Sequence, residues 1–153
     1  MPVRSAGILL YRRDADGVRV LLVHPGGPFW RGKDDGAWMI PKGEIQPGED
    51  ALAAALREYE EELGAAPQGM PQPLCTVRQA GGKYVEAFAL EGNFDCAALR
   101  SNEFSLEYPP RSGEIRRFPE VDEARWLSLS EARAKILPSQ TPILDALDTL
   151  LEG

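Results

Sequence analysis

One segment limits what this 153-residue chain can fold into more than any other. From Glu49 to Leu63 the sequence is rich in Ala, Leu, Glu and Arg, follows Pro47-Gly48 and stops at Gly64, the pattern of a helix with a glycine C-cap. At about 100° per residue Leu52, Leu56, Tyr59 and Leu63 share an arc of roughly 60°, the expected core face. Glu58, Glu61 and Glu62 share another arc of about 100° on the other side, so their carboxylates converge. Like charges so spaced repel by a few tenths of a kcal/mol per pair, and a cation reverses the sign. Three carboxylates with no interleaved base suit a hard, oxygen-seeking ion, Mg²⁺ or Mn²⁺. A solvated acidic face, with Arg57 pairing to Glu61, explains the same residues without a ligand.

The segment before the helix bears on that choice. Ile40-Pro41-Lys42-Gly43-Glu44-Ile45-Gln46-Pro47-Gly48-Glu49 is a Gly- and Pro-punctuated loop opening onto a helix start, where free backbone N–H groups meet anions. Lys42 adds a point charge suited to phosphate. Loop, lysine and carboxylates together describe a metal-and-diphosphate site.

Elsewhere 15 glycines and 13 prolines punctuate the chain in clusters rather than in one linker, and residues 1–153 read as a single domain. Strands are expected at Ser5–Tyr11 and Val18–Val23 around a polar turn, then at Leu74–Gln79, Lys83–Leu90, Phe104–Tyr108, Glu114–Phe118 and Arg125–Leu127. A long loop is expected from His24 to Ala37, and a terminal helix in two parts, Leu129–Ile136 and Thr141–Leu151, broken at Pro138. Strands mixed with two or three helices without regular alternation indicate an α+β fold or an α/β sandwich.

Composition removes several classes of function. With 17 basic and 24 acidic residues the net charge is −7, which leaves no electrostatic footprint for duplex DNA or RNA. No apolar run approaches the roughly 20 residues of a membrane helix, and Met1 to Arg13 does not read as a signal peptide, so the expected setting is the cytoplasm. Cys75 and Cys96 have no metal-binding or disulfide spacing. The single histidine, His24, excludes a two-histidine zinc motif and reads as a loop or structural residue, with a substrate-lining role as the alternative.

From Gly43 through Glu49 to Arg57-Glu58-Tyr59-Glu60-Glu61-Glu62-Leu63-Gly64-Ala65, the sequence resembles the Nudix box, G-x5-E-x7-R-E-U-x-E-E-x-G-U, where U is a bulky aliphatic residue. Every invariant position is filled. Tyr59 and Ala65 depart at two U positions, both packing positions. The resemblance implies the Nudix fold, an α/β/α sandwich with a mixed β-sheet between helices. It also implies Glu58, Glu61 and Glu62 as metal ligands, joined by the Gly43 carbonyl, with Glu49 and Arg57 orienting them. A further glutamate before a Trp-containing strand serves in such enzymes as ligand or base. Glu120, ahead of Trp126, is the first choice, with Glu114 and Glu123 as alternatives.

The implied activity is Mg²⁺-dependent hydrolysis of a diphosphate bond, with Mn²⁺ as a substitute, Glu61, Glu62, Glu120 and Arg57 forming the catalytic set. Trp38-Met39-Ile40-Pro41-Lys42-Gly43 is similar to the entry of Nudix enzymes that cleave dinucleoside polyphosphates or diphosphoinositol polyphosphates. A dinucleoside polyphosphate or a nucleoside triphosphate, as handled by MutT-like pyrophosphohydrolases, is therefore the expected small-molecule substrate. RNA 5′-end or nucleotide-sugar hydrolysis is an alternative, and so is a nucleotide-binding domain without turnover. Lys42, Lys83 and Arg111 are the expected phosphate contacts, with Lys33, Arg116 and Arg117 as further candidates. Phe29, Trp30, Tyr84, Phe104 and Tyr108 are candidates for base stacking, and Trp30 stands out because its Gly-rich surroundings are an unusual place for a core residue. Oligomeric state is not legible at this level.

Overall fold

A computed structural model describes residues 3–152. The long hairpin predicted at the start of the chain is present and extends further than expected, with β1 at Arg4–Asp14 and β2 at Gly17–Pro25. These strands pair only near their turn, from Tyr11 opposite Val20 to Asp14 opposite Gly17. Beyond it they splay, and the segment from Met39 to Glu44 fills the wedge. Met39 exchanges hydrogen bonds with Val23, Ile8 N–H donates to the Pro41 carbonyl, and β3 (Lys42–Glu44) pairs antiparallel with Ser5–Gly7 of β1. The phosphate-loop candidate is thus an inserted segment, bonded to β2 through Met39 and to β1 through β3.

β4 (Gln72–Gln79) and β5 (Lys83–Glu91) form an antiparallel pair, β5 lies parallel to β1, and β8 (Val121–Ser128) pairs with β2. The mixed sheet runs β4-β5-β1-β2-β8 with β3 attached to β1. β8 is much longer than the Arg125–Leu127 read from sequence: Ala124 and Leu127 go to opposite cores, and a bulge opposite His24 and Pro25 returns Val121 to the Ala124 side, so the buried positions show no simple alternation. A separate two-stranded hairpin joins β6 (Glu103–Glu107) to β7 (Ile115–Pro119).

Strand alternation sends side chains to both faces, and both are covered. Ala6, Ile8, Leu10, Leu21 and Val23 pack under α1 (Ala51–Leu63) with Tyr59, Leu63, Phe88 and Phe94. Leu9, Tyr11, Val20, Leu22, Val85 and Ala87 form the opposite core with Trp38, Ile136 and the apolar stripe Ile143, Leu144 and Leu147. That stripe lies on α3 (Thr141–Glu152), which follows α2 (Leu129–Lys135). The capping box at Ser128 and Glu131 starts α2, and Pro138 opens the 3-10 turn between the two helices. The result is the α+β sandwich expected from the sequence. Among the described residues no helix is long and apolar enough to cross a membrane.

His24 is not in the loop but in β2, and it is buried. Its Nδ1 lies 2.9 Å from an Asp122 carboxylate oxygen of β8 and its Nε2 lies 2.7 Å from the Lys33 carbonyl, while the ring meets Trp38 edge-on at 5.2 Å. One side chain therefore fastens the loop after β2 to the sheet. Replacing it removes two part-buried hydrogen bonds, each worth about 0.5–1.5 kcal/mol. His24→Ala is expected to lower Tm by about 2–4 °C for each kcal/mol lost, measured by calorimetry. A change within about 0.5 kcal/mol, the range of neutral surface substitutions, would show that this tether contributes little.

Candidate active site

The helix that carries the glutamates does not present the face its sequence suggests. Leu52 and Leu56 are only half-buried, whereas Ala54, Ala55, Glu58, Tyr59 and Leu63 are buried. On a 100° wheel the buried arc is rotated by roughly 80° toward the carboxylates. Two small residues, Ala54 and Ala55, let the helix settle closely on the sheet at zero exposure. That brings Glu58 against Gly43 of β3, where a Cβ would run into the Glu58 carboxyl group. Glycine at 43 is therefore required by close approach rather than by a turn. The helix begins one residue after Asp50, whose carboxylate accepts from the Ala53 N–H at 2.7 Å, so Glu49 lies ahead of it. It ends at Gly64 with φ 87°, and the Glu61 and Leu63 carbonyls accept from the Asn102 and Arg100 N–H groups.

Arg57 organises the acidic residues. Its Nε and one terminal nitrogen grip the Glu49 carboxylate at 2.8 and 3.0 Å, and the second terminal nitrogen reaches Glu58 at 2.9 Å and Glu61 at 3.2 Å. A fifth bond, 2.9 Å long, goes to the Glu44 carbonyl. Arg57 together with the Gln46 N–H holds the Glu49 carboxyl down at about 2.

Carboxylate oxygens of Glu58, Glu62 and Glu120 lie within 4.8 Å of one another. Glu120 sits at the junction of β7 and β8, where its N–H donates to the Asn102 carbonyl at 2.8 Å and its carbonyl accepts from Gly26 at 3.0 Å. Asn102 also binds the end of α1, so one short segment joins the helix terminus to the strand junction and sets the third carboxylate. Burial pushes Glu62 up to about 8, with the charges of Glu58 and Glu120 adding to it. Glu58 and Glu120 are raised as well, chiefly by burial and then by neighbouring glutamates. Lys42 is close enough to oppose the shift at Glu62, and burial lowers its own ammonium, with Lys83 as a repelling neighbour. An all-oxygen, acceptor-only donor set whose members raise one another's pKa is the chemistry of a site for a hard divalent cation.

The remaining expected residues divide clearly. Glu61 stands outside the trio, turned to Arg57. Of the three late candidates only Glu120 joins it; Glu114 pairs with Arg116 at 3.1 Å and Glu123 with Arg125 at 2.6 Å. Lys83 opens β5 near Lys42. Arg111 occupies the exposed tip of the β6–β7 hairpin, its N–H donating to Glu107. The expectation that Trp30 stands apart from the core is corrected: it packs against the core on the α2 and α3 side, with the Lys33 ammonium 5.6 Å from its ring. Arg116 and Arg117 spend their charges on Glu114 and Glu103, and Tyr84 lies 6.0 Å from the Arg78 guanidinium. The Asn102 link went unread in the sequence because it acts through backbone atoms, which no side-chain pattern announces.

Comparison with known proteins agrees with this geometry. A family model for the NUDIX domain matches residues 1–147. The RNA pyrophosphohydrolase of Rhodospirillum rubrum is 28% identical over 99% of this chain and 93% of its own. The asymmetrical bis(5′-nucleosyl)-tetraphosphatase of Caenorhabditis elegans is 39% identical over 40% of this chain and 41% of its own. In structure, the NUDIX domain of Shewanella oneidensis NrtR complexed with ADP ribose superposes with a TM-score of 0.70 at 19% identity, covering 99% of this chain and 89% of that one. A box filled at every invariant position, a sheet enclosed by helices on both faces and a family match over nearly the whole length place the chain in the Nudix hydrolase family.

Proposed function

We propose that the protein is a Mg²⁺-dependent pyrophosphohydrolase, served also by Mn²⁺, that cleaves a P–O–P bond in a polyphosphate ending in a nucleoside. The observation that carries this reading is the Glu58, Glu62 and Glu120 trio beside Lys42. A dinucleoside polyphosphate is the favoured substrate, in keeping with the Trp38 to Gly43 entry, and a nucleoside triphosphate offers the same anhydride. The 5′ end of an RNA is the second reading. It is favoured by the near full-length similarity to the Rhodospirillum rubrum enzyme, and it asks the protein to hold a chain end rather than a duplex.

When bound, a divalent cation neutralises the bridging phosphates and acidifies a water. Glu58, Glu62 and Glu120 would hold it, with the Gly43 carbonyl as a further oxygen donor. The Lys42 ammonium pairs with phosphate oxygens at the rim. A glutamate of the trio takes the proton of the attacking water, a role suited to a carboxylate whose pKa has been raised toward neutrality. Arg57 aims Glu58 and Glu61 and spends its remaining donors on Glu49 and the Glu44 carbonyl, so it is a positioning residue.

Glu62→Gln and Glu58→Gln are expected to remove turnover of diadenosine tetraphosphate with the fold intact by circular dichroism. Glu61→Gln is expected to retain more activity than either, since Glu61 stands outside the trio. Arg57→Gln should cost about 10–100-fold in metal affinity. Wild-type turnover in Glu62→Gln would contradict the assignment. A panel of dinucleoside polyphosphates, nucleoside triphosphates, 5′-triphosphate RNA and diphosphoinositol phosphates, with products separated by chromatography, ranks the substrates; binding without turnover of any would make the domain a nucleotide receptor.

The raised carboxyl groups also fix a pH dependence. The folded chain keeps at Glu62 a proton that the unfolded chain sheds near pH 4.5, so without metal stability falls as pH rises from about 4.5 through about 8. A divalent cation displaces that proton and opposes the fall. The gain in Tm on adding millimolar Mg²⁺ or Mn²⁺ is therefore expected to be larger at pH 8 than at pH 6, and Glu62→Gln should remove most of the difference. Equal gains at both pH values would refute the coupling.

A further inference from the structure

Outside the carboxylate site, an aromatic row runs from the loop after β2 onto the β6–β7 hairpin. Phe29 is 60% exposed, and Tyr108 is perpendicular to it at 6.4 Å. Tyr108 meets Phe118 at 6.3 Å and Phe118 meets Phe104 at 6.0 Å. Gly27 rides on Phe104, where an added Cβ would come to 3.0 Å from the ring, so the loop and the hairpin are in close contact. The row is rigidly placed. The Lys33 carbonyl is tied to His24, the Gly36 N–H donates to the Ala134 carbonyl at 3.2 Å, and Trp30 packs, half-buried, against the core.

The row also adjoins the trio. Phe118 precedes Glu120 by two residues in the chain, and the Gly26 N–H donates to the Glu120 carbonyl. Three residues span at most about 11 Å, which bounds the distance from the Gly26 backbone to that of Phe29.

Charge selects the kind of occupant. Arg31, Lys33 and Arg111 are close to this row in sequence and form no ion pair among the described residues, although the Lys33 ammonium lies over the Trp30 ring, whereas Arg116 and Arg117 on the same hairpin are both paired. In a chain of net charge −7, cations without an ion pair that are close in sequence to an exposed aromatic ring favour a flat base joined to phosphates over an apolar protein surface.

We propose that Phe29, braced by Tyr108, stacks on the nucleobase of the polyphosphate substrate, with Arg31, Lys33 and Arg111 drawing its phosphates to that face. This rests on the pyrophosphohydrolase reading and extends it from the phosphate chain to the nucleoside. Stacking holds the substrate without touching the reacting phosphorus, so the effect falls on KM.

The test uses Phe29→Leu, which keeps apolar bulk without a π face, Phe29→Trp, and Ile115→Ala as a control at an exposed apolar position on the same hairpin. With diadenosine tetraphosphate and Mg²⁺, Phe29→Leu is expected to raise KM about tenfold or more with kcat little changed. Phe29→Trp restores KM, and Ile115→Ala leaves it as in the wild type. Wild-type KM in Phe29→Leu, or an equal rise in Ile115→Ala, overturns the proposal and assigns the exposed ring to a protein partner. Should the wild type hydrolyse no nucleotide, the pyrophosphohydrolase reading fails by itself. Equilibrium binding of adenosine triphosphate then decides the stacking separately: weakening by about tenfold in Phe29→Leu supports it, and unchanged or absent binding overturns it.

Discussion

The guanidinium of Arg57 joins groups from both sides of the helix start. Its five N–H donors are all used, on Glu49, Glu58, Glu61 and the Glu44 carbonyl. The end of β3, the loop before α1 and the last two turns of α1 are thereby held in one geometry. A lysine could supply the charge but not the planar fork that grips Glu49 with two parallel bonds. Because Glu49 is satisfied by this fork and by Gln46, its charge is stabilised, while the charges of Glu58 and Glu62 are left in tension with their burial.

That tension is affordable because the fold is secured elsewhere. Apolar cores on both faces of the sheet supply the stabilisation, and each fully buried Leu or Ile contributes about 1.5–3 kcal/mol. Against this background the molecule can carry buried and half-buried, mutually repelling glutamates on α1 beside the segment inserted between β1 and β2. Functional sites are commonly where such local costs are carried. The splay itself follows from pairing. β1 and β2 share their ladder only near the turn, and the Met39–Glu44 segment takes the vacated hydrogen bonds, bringing Lys42 and Gly43 to the helix.

Much of this was legible from the residues. The strands were read nearly in full where hydrophobic runs are long, as in β1, β2 and β5, and poorly where polar residues interrupt, as in β8, whose buried positions do not alternate because a bulge opposite His24 and Pro25 breaks the register. His24 was assigned to a loop on its Pro- and Gly-rich neighbours, yet it closes β2, since a partner strand extends it beyond what local propensity supports. Trp30 misled for a similar reason: its local sequence is loop-like, but the loop folds back on the core.

The sequence by itself determined the chemistry. A glycine, an arginine and spaced glutamates on one helix define an acidic cluster with its organiser, because the α-helical repeat places those side chains on one side whatever surrounds them. Only the tertiary structure decided which way that side faces. Leucines at Leu52 and Leu56 pointed the core face elsewhere, but Ala54, Ala55 and Gly43 allow a closer approach, and close approach buries the glutamates. It also decided that Glu62 and Glu120 meet Glu58 while Glu61 turns to Arg57. Residues far apart in the chain converge there through backbone bonds at Asn102 and Gly26, and the pairing of such bonds depends on the whole sheet rather than on any local run of residues.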